Sequence, residues 1–497
     1  MTLPERELTT MYMTPLGYVM MYGWFLVVVP GLFLVLPKRT AAFSGLIFGW
    51  LFLPFGAKVG LGPMDITRDS AVCLSVVACM LVLDLPRVMR VRLSWIDIPI
   101  FIWVISPFFT SMTNGLGAYD GGAEVKDHLM VWGLPYFIGR VYVTDAKAAK
   151  HLAMILIVAA LVYVPFVLWE IRFSPRLHKA WYGYTTYDHG GTALRRLGGW
   201  RPLVFMRHGL MLGVFMAVAA LLASWLWFTR SVRQLPLLPP GWRGPSLKDG
   251  QGMSNAVPFL PIVLVLVFIA LACRALNGLG LMLMGGAVLA ALFYAKTRVP
   301  LALMALIPIL YVGMRLSEHA TGFAIDQPAV SIVSKISQNR ADSLEFRFDN
   351  ERLLLTKAMQ RPMLGWGGWG RNRVYDEDGN DLTVTDGYWI ITLGQTGLIG
   401  LAGMYMTLLG PVFVLIWRYD AKVLSSAEGA AATGLAVAIV MYSIDSLPNA
   451  MLNPMFPMAA GGLAALMVTL KRPRKGRARA RVPLVSRSMG SIGAVGR

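Results

Sequence analysis

The sequence has little charge and very little cysteine. Only 15% of its 497 residues are Asp, Glu, Lys or Arg, whereas soluble domains carry about 25%. Its three cysteines, Cys73, Cys79 and Cys273, lie inside apolar runs, which excludes a disulfide framework and a cysteine zinc site. The six histidines form no HxxH or HxxxH pair, and no Walker loop or Rossmann fingerprint is present. We therefore expect neither a metal site nor a cofactor.

Long apolar runs are what the sequence has in abundance. Hydrophobic residues make up 56% of the chain, and its mean hydropathy is +0.58. Because a helix needs roughly 17–25 apolar residues to cross a bilayer, the runs predict an all-α, polytopic membrane bundle of about 12–13 transmembrane helices. The predicted spans lie near 17–36, 41–56, 69–85, 96–112, 129–143, 151–169, 203–228, 257–274, 278–295, 299–314, 387–417, 430–447 and 454–470.

The net charge of +19 is explained by membrane topology. Short basic loops alternate with acidic or mixed ones, and the positive-inside rule places the basic loops in the cytoplasm. We therefore expect a membrane lipid environment and no nucleic acid partner. The sequence divides into four predicted segments: N-terminal transmembrane helices (1–314, with a basic outer loop at 170–202), an extracytoplasmic loop (315–386), C-terminal transmembrane helices (387–470) and a basic cytoplasmic tail (471–497).

The outer loop at 170–202 breaks the positive-inside rule, since it holds six basic residues against two acids. Arg207 and His208 follow it at the start of the next apolar run. Guanidinium groups bind phosphate in a bidentate geometry, so Arg196, Arg201, Arg207 and His208 are candidate residues of an anion site. Pairing with lipid headgroups, or snorkelling of Arg207 to the interface, is the simpler alternative.

The second outer loop, 315–386, contains an amphipathic helix. Asp342 is expected to cap its start, and Pro362 follows its end. Arg347 and Arg352 lie on this helix, and either one is suited to clamp a phosphate or to form ion pairs in solvent. The spacing alone does not choose between them.

Two acids are candidates for chemistry at the membrane. Asp386 directly precedes the apolar run that starts at Gly387, so it serves either as a helix N-cap or as a general base. Asp445 lies inside a predicted span, where it either pairs with a buried arginine or faces water.

The stretch from Arg347 to Leu401 resembles the signature region of the O-antigen ligase and O-antigen polymerase superfamily of bacterial envelope proteins. In that family an arginine opens an amphipathic helix that ends in a Pro-x-x-Gly-x-Gly turn, and Arg347 stands at the matching distance from PMLGWG at 362–367. The family motifs continue in DGYW at 386–389 and QTGLIGL at 395–401, and WRPLVF at 200–205 resembles an upstream element. In the ligases of the family a histidine stands at the position of Asp386, so the resemblance leaves ligase and polymerase open.

The resemblance implies a metal-independent glycosyltransferase in the bacterial inner membrane, acting in surface polysaccharide biosynthesis. The donor would be a glycan on undecaprenyl pyrophosphate, and the acceptor a hydroxyl of a glycan or lipid. Asp386 and Arg347 would be catalytic, and the substrate would be bound by Arg196, Arg201, Arg207, His208 and Arg352.

Two other classes of function fit parts of the sequence. A secondary transporter or lipid-linked glycan flippase would use the intramembrane charges Asp445 and Arg207. A non-catalytic scaffold of an envelope complex would not need the arginines and carboxylates at all. The gathering of polar features at one face favours the enzyme.

Overall fold

The structure, a computed structural model, is 72% helical with almost no strands. It describes residues 13–61, 64–186, 194–196, 198–236, 256–322, 326, 330–331, 334–335 and 338–469. The predicted tail 471–497 lies outside the described residues, as does part of the loop 170–202. Within the described part of the chain, seven helices are long and apolar enough to cross a membrane. The expected all-α, multi-pass membrane architecture is confirmed.

Each predicted span coincides with a long helix, and the helix Gln338–Ala358 in the segment 315–386 adds one more. Short helices at Leu85–Val88, Leu177–Tyr182 and Ala421–Leu424 connect them, together with two-stranded hairpins such as Arg195–Arg196 with Gly199–Trp200. The long helices are α1 (Pro15–Val35), α2 (Lys38–Phe52), α3 (Arg68–Leu83), α4 (Trp95–Thr113), α5 (118–142, with a π-helical turn at Leu129–Gly133), α6 (Ala146–Phe173), α7 (Gly209–Phe228), α8 (Phe259–Ala272), α9 (Leu276–Tyr294), α10 (Val299–Thr321), α11 (Gln338–Ala358), α12 (Tyr388–Arg418), α13 (Ala430–Asp445) and α14 (Met455–Thr469).

Some helix ends differ from the prediction. Helix α7 begins at Gly209 rather than 203, because the backbone N–H groups of Leu203 and Val204 donate to the buried Glu170 carboxylate, at 2.7 Å each. Helix α11 begins at Gln338, so Asp342 does not cap it but accepts a hydrogen bond from the Gln338 side chain within the helix (2.8 Å). Helix α10 continues to Thr321, past the predicted boundary at 314/315.

Helix α12 is broken near its start. Gly397 has φ 66° and ψ −167°, so Tyr388–Arg418 consists of two helical pieces. A break leaves backbone N–H and C=O groups without helical partners. Here the segment 362–367 lies against 394–399 and supplies those partners. Leu398 N–H donates to Pro362 C=O (2.7 Å), and the N–H groups of Trp366 and Gly367 donate to the carbonyls of Gly394 (2.8 Å) and Gln395 (2.9 Å).

We call these two paired segments, 362–367 and 394–399, the glycine joint. A Cβ on Gly365 would lie 2.6 Å from the Gln395 carbonyl carbon, and a Cβ on Gly397 would lie 2.5 Å from the Leu364 nitrogen. Both glycines also have positive φ. Any side chain at either position would force the two backbones apart. The joint therefore fixes the end of α11 against the first turns of α12.

Candidate functional site

A cavity of about 420 Å³ lies at the end of the bundle where α12 begins. It is enclosed by α9, α10, α11, α12 and α13, and most of its wall is apolar. The apolar lining includes Leu281, Met284, Leu354 and Ile390. Its polar side chains are Asn277, Tyr311, Arg347, Asn350, Glu351, Asp386 and Asp445.

Arg347 and Asp386 meet at this cavity although they are far apart in the chain. The Arg347 Nε lies 3.5 Å from an Asp386 carboxylate oxygen, and the two side chains are 43% and 45% exposed. Gly387 is the N-cap residue of α12, with no side-chain capping bond, so Asp386 does not have the capping role that the sequence allowed. An arginine and a carboxylate are therefore presented together at the cavity mouth.

Arg352, the other candidate arginine on α11, lies outside the cavity lining. It pairs with Glu318 (3.2 Å), with Asp349 (2.5 Å) and with Asp326. The geometry thus distinguishes the two arginines that the spacing left equivalent. Arg347 reaches the cavity, and Arg352 belongs to an ion-pair network beside it.

The centre of that network is Arg315, which the sequence interpretation missed. This buried guanidinium pairs with Glu318 at 2.5 Å and with Glu351 at 3.2 Å. Glu351 also accepts hydrogen bonds from the Tyr311 hydroxyl (2.8 Å) and the Trp389 indole (3.3 Å). Burial raises the pKa of Glu351, although these contacts act in the opposite direction. The sequence did contain a signal for Glu351: it follows Arg347 by four residues, about one helical turn, so the two side chains lie on the same face of α11.

The described residues of the basic segment 170–202 do not line the cavity. Arg201 is buried, and its Nη2 donates to the Arg274 carbonyl (3.4 Å). Arg274 in turn donates to the carbonyl of the exposed Arg196 (3.1 Å). Arg274 precedes α9, whose Asn277 lines the cavity. Three arginines, including the unpredicted Arg274, are therefore linked to one another at the cavity end of the bundle.

Arg207 and His208 follow that cluster. Arg207 is exposed, and its guanidinium lies 5.9 Å from the centroid of the Phe55 ring. His208 caps α7 by accepting a hydrogen bond from Leu210 N–H at its Nδ1 (3.1 Å). Burial, reinforced by the neighbouring arginines, lowers the pKa of His208 to about 4. His208 is thus neutral near pH 7 and adds no positive charge to the cluster.

Asp445 is the deepest acid of the cavity, with 3% of its surface exposed. Its carboxylate accepts hydrogen bonds from the side-chain amides of Asn277 (2.9 Å) and Asn449 (2.8 Å). No salt bridge to Asp445 is formed within the described part of the chain. The arginine partner considered from the sequence is therefore replaced by two amides.

Among the described residues, no group of three or more His, Cys, Asp or Glu side chains is arranged to hold a metal ion. No protein-family model matches the chain, and comparison with curated proteins finds no significant match.

Proposed function

We propose that this protein transfers a glycan from undecaprenyl pyrophosphate to an acceptor hydroxyl at the outer face of the bacterial inner membrane, as an O-antigen ligase or polymerase does. The observation that carries this proposal is the meeting of Arg347 and Asp386, 3.5 Å apart, at the mouth of a largely apolar cavity. A cation for a phosphate leaving group and a carboxylate for a hydroxyl proton are the two groups that such a transfer needs.

The distribution of charge suggests where the donor would bind. Among the described residues that line the cavity, the arginine Arg347 stands against the carboxylates of Glu351, Asp386 and Asp445. Like charges disfavour a diphosphate deep inside such a cavity. We therefore place the diphosphate at the mouth, between Arg347 and the cluster that includes Arg201, with the apolar wall available to the isoprenoid chain.

In the proposed reaction the acceptor hydroxyl oxygen bonds to the anomeric carbon of the donor sugar. The bond between that carbon and the phosphate oxygen breaks, and its electron pair leaves with undecaprenyl pyrophosphate. Asp386 accepts the hydroxyl proton, and Arg347 stabilises the negative charge that develops on the leaving group.

The test uses Asp386→Asn and Arg347→Ala in the full chain, with transfer of lipid-linked glycan followed in membranes. General-base catalysis contributes about 10²–10⁴-fold, so the Asn variant should lose activity on that scale. Asp378→Asn and Arg90→Ala are the matched controls, since both residues are exposed and lie outside the cavity lining. Undiminished transfer by both site variants would refute the mechanism. Longer glycans on the carrier would indicate a polymerase, and glycan on a separate lipid acceptor a ligase.

A transporter or lipid-linked glycan flippase is the second candidate, and Asp445 favours it. A buried acid that faces a cavity and, among the described residues, accepts hydrogen bonds from two amides is a feature of proton-coupled transporters. Reconstituted vesicles that take up solute under a pH gradient, with uptake lost in Asp445→Asn and no glycan product formed, would establish this function instead.

A further inference from the structure

A second cavity, of about 360 Å³, lies at the opposite end of the bundle from Arg347 and Asp386. Three helix ends form it: the start of α4, the end of α12 and the end of α14. The lining residues are Ser94, Trp95, Ile96, Val414, Arg418, Met467 and Val468. We call this cavity the Arg418 cleft, since Arg418 is the charged residue among the described residues that line it.

The cleft presents a guanidinium group whose hydrogen-bonding capacity is only partly used. One Nη of Arg418 donates to the Met467 carbonyl, while its Nε is buried and has no hydrogen-bond partner among the described residues. The first turn of α4 also faces the cleft, at Trp95 and Ile96. A capping box at this turn uses the N–H groups of Ser94 and Asp97, and the Asp97 carboxylate is paired with Arg140 (2.7 Å). The helix start therefore contributes the positive end of its dipole rather than free donors. The cleft is therefore suited to an anion.

A stripe of exposed apolar side chains leads away from the cleft along α4. Trp95, Ile98, Ile102, Ile105 and Phe109 follow one another at intervals of three and four residues and are 38–64% exposed. This spacing puts them on one face of the helix. In a membrane protein such a face contacts lipid tails. The cleft and the stripe are continuous, because Trp95 belongs to both.

We propose that the Arg418 cleft binds the phosphate headgroup of an anionic phospholipid, whose acyl chains lie along the α4 stripe. A free phosphate would use only Arg418. A zwitterionic lipid would use the stripe but gain less from Arg418, because its cationic headgroup offsets the phosphate charge. An anionic phospholipid uses both. This site is independent of the proposed glycosyl transfer, because it lies at the other end of α12.

The test is native mass spectrometry of the full-length protein in detergent, titrated with dioleoyl phosphatidylglycerol or dioleoyl phosphatidylcholine. The wild type should bind phosphatidylglycerol more tightly, since choline offsets the phosphate charge of the other lipid. Arg418→Gln should weaken phosphatidylglycerol binding by about tenfold, the effect of losing one charge-assisted contact. Lys422→Gln is the matched control, because Lys422 is exposed at the same end of the bundle and outside the cleft. It should bind as the wild type does.

Two further measurements separate lipid binding from folding and from free anion binding. Trp95→Ala leaves Arg418 in place and should also weaken phosphatidylglycerol binding, while lipid-free thermal unfolding monitors the integrity of each variant. Inorganic phosphate at equal concentration should not displace the lipid. Unchanged binding by Arg418→Gln, equal binding of the two lipids, or displacement by inorganic phosphate would each overturn the proposal.

Discussion

The glycine joint leads to a quantitative prediction for Gly397→Ala. Gly397 has φ 66° and ψ −167°, a backbone conformation that is essentially restricted to glycine. The new Cβ would lie 2.5 Å from the Leu364 nitrogen, which is backbone and cannot turn away as a side chain can. The substitution should therefore separate segment 362–367 from α12 rather than be absorbed locally.

The free-energy cost of Gly397→Ala has two contributions. Backbone strain at such a position is about 1–3 kcal/mol, and overpacking against neighbouring atoms adds about 1–3 kcal/mol. The free energy required to open the joint should thus fall by about 2–6 kcal/mol. Since about 1.4 kcal/mol corresponds to a factor of ten, joint amides should exchange at least about 30 times faster.

Hydrogen–deuterium exchange measured by mass spectrometry on the full chain provides the assay. The amides to follow are those of Trp366, Gly367 and Leu398, which donate across the joint. Gly410→Ala is the matched control, because Gly410 lies in the same helix and a Cβ there would meet no neighbouring described residue within 4 Å. The control should be neutral or stabilising by about 0.5–1 kcal/mol. Equal exchange of the joint amides in the two variants would refute the reasoning.

Three other substitutions test the buried polar groups. Arg315→Met should destabilise the protein by about 3–5 kcal/mol, because it leaves Glu351 buried without its cation and Glu318 with Arg352 alone; thermal unfolding in detergent measures this, and an unchanged Tm would contradict it. His208→Asn should keep the helix cap but remove a titrating group whose pKa is lowered to about 4 in the folded state. The unfolded His protonates near about 6.5, so the wild type loses stability as pH falls from there towards about 4; the variant should lose less, measured as the drop in Tm between neutral and acidic buffer. Glu170→Gln should lower the Tm, with a loss of about 1–3 kcal/mol in the free energy of unfolding. Three backbone N–H groups donate hydrogen bonds to the Glu170 carboxylate, and the amide of Gln offers only one acceptor oxygen to them.

The helices of the predicted spans could be predicted from the sequence because each rests on a long apolar run. The break at Gly397 could not be predicted, because the run from 387 to 417 is continuous in hydropathy. The break exists only because 362–367 supplies hydrogen bonds from a distant stretch of chain. The same pairing explains why the glycine motifs at 362–367 and 395–401 occur in one sequence, since they form the two sides of one contact.

Choosing between Arg347 and Arg352 required the tertiary structure. Five residues along a helix correspond to a rotation of about 140°, so the two side chains point in clearly different directions. The sequence does not say which direction faces the cavity. Arg315 was missed for a related reason: it lies just past the predicted end of a span, where a charged residue looks like the beginning of a loop.

The glycine joint also has a practical consequence for the hairpin that follows it. The hairpin, closed by a bridge between Tyr375 and Asp381, starts at the joint and returns to the first turn of α12, so both of its ends are anchored. Lengthening a loop between fixed ends costs only about 0.6 kcal/mol per doubling. An epitope tag inserted beside the exposed Gly379 should leave Arg347 and Asp386 undisturbed. Antibody labelling of such a protein, in intact and in permeabilised cells, would reveal on which side of the membrane this end of the bundle lies without altering it.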